Sequence, residues 1–149
     1  MSLSITVPQG YGYTVLVALG AIPLLAQLQG VVPGSLRKSA QVLYPNMYAT
    51  AEQAKNNKQA YKYNCAQRAH GNLLENMSQV IASILFAGLF YPTAAPLLGA
   101  AWTACRIIYA YGYITSDKPQ GKGRYPGLGM WIPQLGLWGL CIAAGFKML

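Results

Sequence analysis

Arg68, Asn72, Glu75 and Gln79 are spaced by four, three and four residues, so a helix carries all of them on one face. Glu75 is followed by 30 residues, Asn76 to Cys105, that carry no charge. Ionisable groups at the edge of a membrane-length apolar run are costly, and they normally face a protein interior and serve a function. A stripe holding a cation, an amide and a carboxylate suits a small zwitterionic ligand bound at a membrane interface. A second constellation lies at Arg106, Tyr109 and Tyr113, again at helical steps, with Tyr111 pointing elsewhere. Tyrosines near a helix end also form ordinary interfacial belts. Arg106 lies within an apolar segment and needs a partner, for which Glu75 is a candidate.

These residues must be positioned by apolar helices. The chain has 149 residues, of which 54% are hydrophobic and only 9% charged; soluble domains carry roughly a quarter charged residues. The composition therefore predicts an all-α integral membrane protein. Four segments have the ~20 apolar residues a spanning helix needs: 13–32, with Pro23 as an expected kink, 66–91, 96–115 and 127–146. The short connection between the second and third predicts antiparallel neighbours, hence an up-down four-helix bundle forming one domain over 1–149. No cleavable signal peptide is expected, because residues 1–10 lack a basic region.

The net charge of +8 is not spread as a nucleic-acid footprint. Nine of the eleven basic residues lie in or beside two connections, 33–64 and 116–126, which the positive-inside pattern assigns to the cytosol. The second of these contains two prolines and two glycines and is expected to be flexible. Cys65, Cys105 and Cys141 form no metal spacing, and with His70 as the one histidine no metal site is predicted. Cys65 has no base near it in sequence except His70, about 140° further round a helix. It is read as a structural thiol, and Cys105 and Cys141 as packing residues.

The run Tyr63-Asn-Cys-Ala-Gln-Arg68-Ala-His-Gly-Asn72-Leu-Leu-Glu75 carries a family likeness, with Tyr44-Pro-Asn-Met-Tyr48 before it and Tyr109-Ala-Tyr-Gly-Tyr113 after it. The chain resembles the microsomal glutathione transferases of type 3. They are part of the superfamily of membrane-associated proteins in eicosanoid and glutathione metabolism. The resemblance implies a homotrimer in the endoplasmic reticulum or outer mitochondrial membrane, with glutathione as co-substrate bound in clefts between subunits near the cytosolic side. The second substrate it implies is a lipophilic electrophile or lipid hydroperoxide.

By similarity to the leukotriene-forming member of that superfamily, Arg37, Arg68, Asn72, Glu75, Tyr109 and Tyr113 fall on glutathione-binding positions, and His70 stands where that member has a glutamine. Arg124, before the last helix, falls at the thiolate-stabilising arginine once a longer loop is accommodated. Lys38 falls at a second arginine assigned proton donation. The same superfamily contains a non-enzymatic alternative, the lipid-presenting five-lipoxygenase-activating protein. A transporter using Glu75 and Arg106 as a charge pair is disfavoured, since the stripe sits near one membrane face and no inverted repeat is visible.

Overall fold

The computed structural model describes residues 6–149 and is helical throughout its regular elements. The amino-terminal part of the stretch read for a signal peptide, residues 1–5, lies outside the described residues. We number the helices α1 (Tyr11–Leu36), α2 (Ala51–Asn56), α3 (Lys58–Phe90), α4 (Ala94–Thr115) and α5 (Trp131–Lys147). Helical turns of tighter pitch over Pro119–Met130 lead into α5.

Three stretches are long and apolar enough to cross a membrane: Tyr11–Leu36, Lys58–Phe90 and Pro119–Lys147. The expected fourth, α4, has 22 residues but carries Arg106 and three tyrosines, which leave it less apolar than the others. The start expected near Tyr13 is Tyr11, and Pro23 does not break α1. Pro23 has no N–H to offer the carbonyl four residues earlier, and the wide turn at Leu16–Ala21 falls where that bond is missing.

The largest departure from expectation is α3. Its start, expected near Ala66, is Lys58, because polar residues 58–65 continue the helix instead of ending it. The Asn57 side chain accepts from the Gln59 N–H and caps that start. Immediately before it, Thr50 and Gln53 form a reciprocal capping box that opens α2 within the segment expected to be a loop. At 33 residues α3 is ~50 Å long, well beyond a ~30 Å hydrocarbon core. Counting about 20 residues back from Phe90 puts the edge of a membrane-length span near Gly71. Arg68, Asn72 and Glu75 therefore straddle it.

α3 packs against α1, α4 and α5. The shared core holds Ile22 from α1, Leu73, Val80 and Ile84 from α3, Trp102 from α4 and Leu137 from α5, each at most 1% exposed. A smaller cluster around Val42, Ala49, Ala60 and Tyr63 forms beside the connection from α1. There Ala49 and Asn64 exchange two hydrogen bonds, at 2.8 and 2.9 Å, and Met47 O accepts from Tyr63 Oη and Gln67 Nε2. The aromatic and amide residues of the 63–67 run thus clamp the 47–49 segment.

The connection after α4 was expected to be flexible, and the structure packs it tightly. Gly121, Gly123 and Gly127 are buried. A β-carbon at Gly112 would overlap the Gly123 carbonyl, and one at Gly127 would overlap the Tyr109 backbone, so glycine is what admits this close approach. Gln120 and Gly121 turn through left-handed conformations, with φ of 56° and 64°. The Gly121 N–H is held by Tyr61 Oη at 2.8 Å. Lys58 Nζ lies 2.8 Å from Asp117 at the other end of this junction, and the ammonium holds the Asp117 carboxyl below the usual aspartate range. That contact is complete above the ordinary aspartate pKa and fades as pH falls through the lowered value.

Two substitutions probe the junction. Gly112→Ala should cost about 1–3 kcal/mol through overpacking, outweighing the helix-propensity gain of alanine, as a lowered thermal midpoint in detergent will show. Tyr61→Phe leaves the Gly121 N–H without its acceptor, at about 1 kcal/mol. Hydrogen exchange at the Gly121 amide should accelerate while the centre of α3 keeps its protection.

Candidate functional site at the membrane boundary

On α3 the polar stripe forms a bonded ridge. Arg68 Nη1 donates to Glu75 Oε1 at 2.7 Å, and Asn72 Nδ2 donates to Glu75 Oε2 at 3.2 Å. Gln79 extends the ridge by donating to Asn76 Oδ1 at 3.0 Å. The Arg68 and Glu75 side chains are 49% and 53% exposed, so the ion pair faces outward from a single chain. Asn72 is half-buried behind it.

Behind Asn72 lies Arg106, 1% exposed. Its Nη1 donates to Asn72 Oδ1 at 2.8 Å and lies 2.9 Å from Met130 Sδ. The candidate Glu75–Arg106 contact is therefore corrected: Asn72 stands between them, so the order is Arg106, Asn72, Glu75, Arg68. Direct contact would have demanded that a buried guanidinium reach the exposed rim of α3. A side chain of intermediate depth bridges the gap instead.

Tyr109 and Tyr113 share one face of α4, their rings meeting edge to face with centroids 5.6 Å apart. Tyr111 points outward and is 70% exposed. The Arg106 guanidinium sits 5.1 Å from the Tyr109 ring, and that of Arg124 sits 5.1 Å from the Tyr113 ring. Cation, two phenols and a second cation thus form one ladder joining the ridge to the junction after α4. Each cation–ring contact contributes roughly 0.5–2 kcal/mol, more where water is excluded.

Arg124 is half-buried. It donates to Gln120 O at 2.9 Å and Gly121 O at 2.7 Å, bracing the left-handed turn that the sequence marks only by its glycines and prolines. Cys65 is buried with its thiol against the Tyr61 hydroxyl, on the same side as this turn.

The remaining expected site residues lie elsewhere in the single chain. His70 is about 200° round α3 from Asn72 and packs on α1 at Gly30, where it lines a groove of about 450 Å³ with Gln27 and Leu74. Arg37, at the end of α1, donates to Val42 O at 3.4 Å and Asn46 O at 2.9 Å, and its guanidinium covers the Tyr44 ring at 4.0 Å. Lys38 beside it is exposed and lines the same open surface as Gln41 and Tyr44. The chain therefore brings Arg68, Asn72, Glu75, Tyr109, Tyr113 and Arg124 together, and leaves His70 with Arg37 and Lys38 apart from them. Among the described residues no group of three or more His, Cys, Asp or Glu side chains comes together that could hold a metal.

Chemically, the assembled group offers a carboxylate for an ammonium, guanidinium for carboxylate, phenols beside an apolar wall, and a half-buried cation that stabilises a neighbouring anion. Residues 15–143 match the MAPEG family, the membrane-associated proteins in eicosanoid and glutathione metabolism. That family includes membrane glutathione transferases and peroxidases as well as members like the five-lipoxygenase-activating protein. The match runs from the first apolar helix into the last and includes both polar constellations. This is an integral membrane protein, and the chain belongs to the MAPEG family.

Proposed function

We propose that this protein is a membrane-bound glutathione transferase with glutathione-dependent peroxidase capacity, of the microsomal type 3 kind. The observation that carries this reading is the continuous connection from the Arg68–Glu75 ridge through Asn72, Arg106, Tyr109 and Tyr113 to Arg124. Glutathione has two carboxylates, one ammonium and one thiol. Within the chain Arg68 and Glu75 neutralise each other. An entering ammonium and carboxylate exchange that one ion pair for two, so the rim stays near neutral throughout, as a membrane-edge site requires.

The thiol needs activation. Its pKa is about 8.5, which leaves only a few per cent thiolate at neutral pH. A guanidinium that lowers it by one to two units raises the reactive fraction roughly tenfold or more. Arg124 holds that position in this reading, with its charge directed by the Tyr113 ring and the 120–121 carbonyls. In conjugation the thiolate adds to an electrophilic carbon. In peroxide reduction it attacks the distal peroxide oxygen, releasing an alkoxide that takes up a proton and leaving glutathione sulfenic acid. A second glutathione converts that to the disulfide and water.

The lipophilic partner enters from the bilayer past Ile107, Ile108 and Tyr111, which face outward beside the ladder. Arg37, Lys38 and His70 join the site only where a second copy lays its α1 side against the ridge. This is the homotrimer with clefts between subunits that the family resemblance implies. In that arrangement Arg37 supplies a second carboxylate contact, His70 contacts the tripeptide, and Lys38 is placed to protonate the alkoxide. The endoplasmic reticulum is the proposed location, the outer mitochondrial membrane the other, with the 33–64 and 116–126 connections on the glutathione-rich cytosolic side.

Arg124→Gln keeps donors for the 120–121 carbonyls but removes the charge. Turnover should fall about tenfold or more, with glutathione affinity changed only a few-fold and the thiolate absorbance lost from the ultraviolet difference spectrum at neutral pH. Arg124→Ala should show the same split, and unchanged turnover in both variants would exclude the role. Arg68→Ala and Glu75→Gln should instead weaken glutathione binding by roughly tenfold, read by calorimetry. A wild-type protein with neither glutathione binding nor a thiolate band is a lipid-presenting scaffold.

A further inference from the structure

We infer that Arg106 is a positioning residue: it locks the carboxamide of Asn72 so that its N–H end faces Glu75, and through that bond it fixes the ligand-facing carboxylate. The inference rests on the glutathione reading only for the identity of the ligand. The orienting contact lies within the chain itself.

The two ends of a carboxamide are chemically opposite, and here each meets a group that accepts only one of them. Arg106 carries donors and no acceptor, and an ionised Glu75 carries acceptors and no donor. The observed arrangement places Oδ1 at 2.8 Å from Arg106 Nη1 and Nδ2 at 3.2 Å from Glu75 Oε2. Turning the amide over would set Nδ2 against the guanidinium and Oδ1 against the carboxylate, making both contacts repulsive. The lock is therefore two-sided, and its buried side cannot drift. Arg106 is fixed between the Trp102 ring at 5.3 Å, the Tyr109 ring at 5.1 Å and Met130 Sδ.

The rest of the Arg106 fork sharpens the point. Nε and Nη2 are buried and have no hydrogen-bond partner among the described residues. Among the described residues no carboxylate forms a salt bridge with this fork, although a charge at this depth is expensive. The oxygen that receives its one hydrogen bond to oxygen among the described residues belongs instead to a neutral amide whose far end lies in the ligand ridge. Removing Arg106 frees Asn72 to rotate and leaves Glu75 to follow Arg68 alone, away from the geometry that receives an ammonium.

The test uses the full chain in detergent micelles. With asparagine labelled by nitrogen-15 and the Asn72 signal assigned through Asn72→Ala, the ligand-free wild type should show two well-separated side-chain N–H resonances, one bonded to Glu75. In Arg106→Met that separation should shrink towards a water-exposed amide, as it should in Glu75→Gln. Glutathione affinity is then measured for Arg106→Met, Asn72→Ala and the double variant. Each single change should weaken binding roughly tenfold, the loss expected for a charge-assisted hydrogen bond. The double should be no weaker than Asn72→Ala alone, because both act through one contact. Unchanged Asn72 resonances in Arg106→Met, or losses that multiply in the double variant, would overturn the inference. Where Arg106→Met lowers the thermal midpoint too far to study, Arg106→Lys keeps a charge and a donor and should give an intermediate Asn72 signal. Arg106→Lys resonances lying outside the interval between wild type and Glu75→Gln would equally overturn it. If the amide responds as described while the wild type binds no glutathione, the ligand reading falls and the positioning role stands.

Discussion

A guanidinium sealed inside an oily bundle is the constraint to which the rest of this structure answers. Arg106 is 1% exposed, and every element around it supplies something to hold its charge. α3 gives an amide oxygen, α4 gives two ring faces, and the turn leading into α5 gives a thioether. None of these partners is anionic, so the compensation is dispersed over dipoles and polarisable groups. The nearest carboxylate in the chain of contacts, Glu75, is reached only through Asn72. That arrangement ties the register of α3 against α4 to the state of the outward-facing ridge. It is why the packed interior and the candidate ligand surface form one system.

The ridge itself was legible in the sequence, because helical spacing alone puts Arg68, Asn72 and Glu75 on one face whatever they pack against. The same holds for Tyr109 and Tyr113, with Tyr111 turned away. The partner of Arg106 was not legible. It depends on how far one helix is slid along another, and one-dimensional spacing carries no record of that. The start of α3 was placed late for a different reason. Hydropathy reports the medium around a segment and not whether its backbone is helical, so the polar residues 58–65 read as a loop. The caps at Asn57 and at Thr50 with Gln53 were the readable signals of helix there. The connection after α4 read as flexible from its glycines and prolines, yet Gly123 and Gly127 are used for backbone contact with α4. Glycine admits both uses, and only a packed neighbour separates them.

The expected site residues are distributed over two sides of the chain. Ridge, tyrosine ladder and Arg124 make one half; the α1 end with Arg37 and Lys38, and the groove at His70, make the other. The first half is the richer in charge and in connected hydrogen bonds. It holds groups suited to an ammonium, a carboxylate and an anionic sulfur together.

Because α3 overshoots the lipid by several turns and is clamped to the 47–49 segment at its polar end, it behaves as a stiff post set through a floor. A post of fixed length cannot lengthen when the floor thickens; it can only stand more upright or make the surrounding lipid thin. The immersion of the carboxylate rim is then governed by acyl-chain length and sterol content as much as by the protein, so one polypeptide meets a different dielectric in organelles whose bilayers differ by a few ångströms.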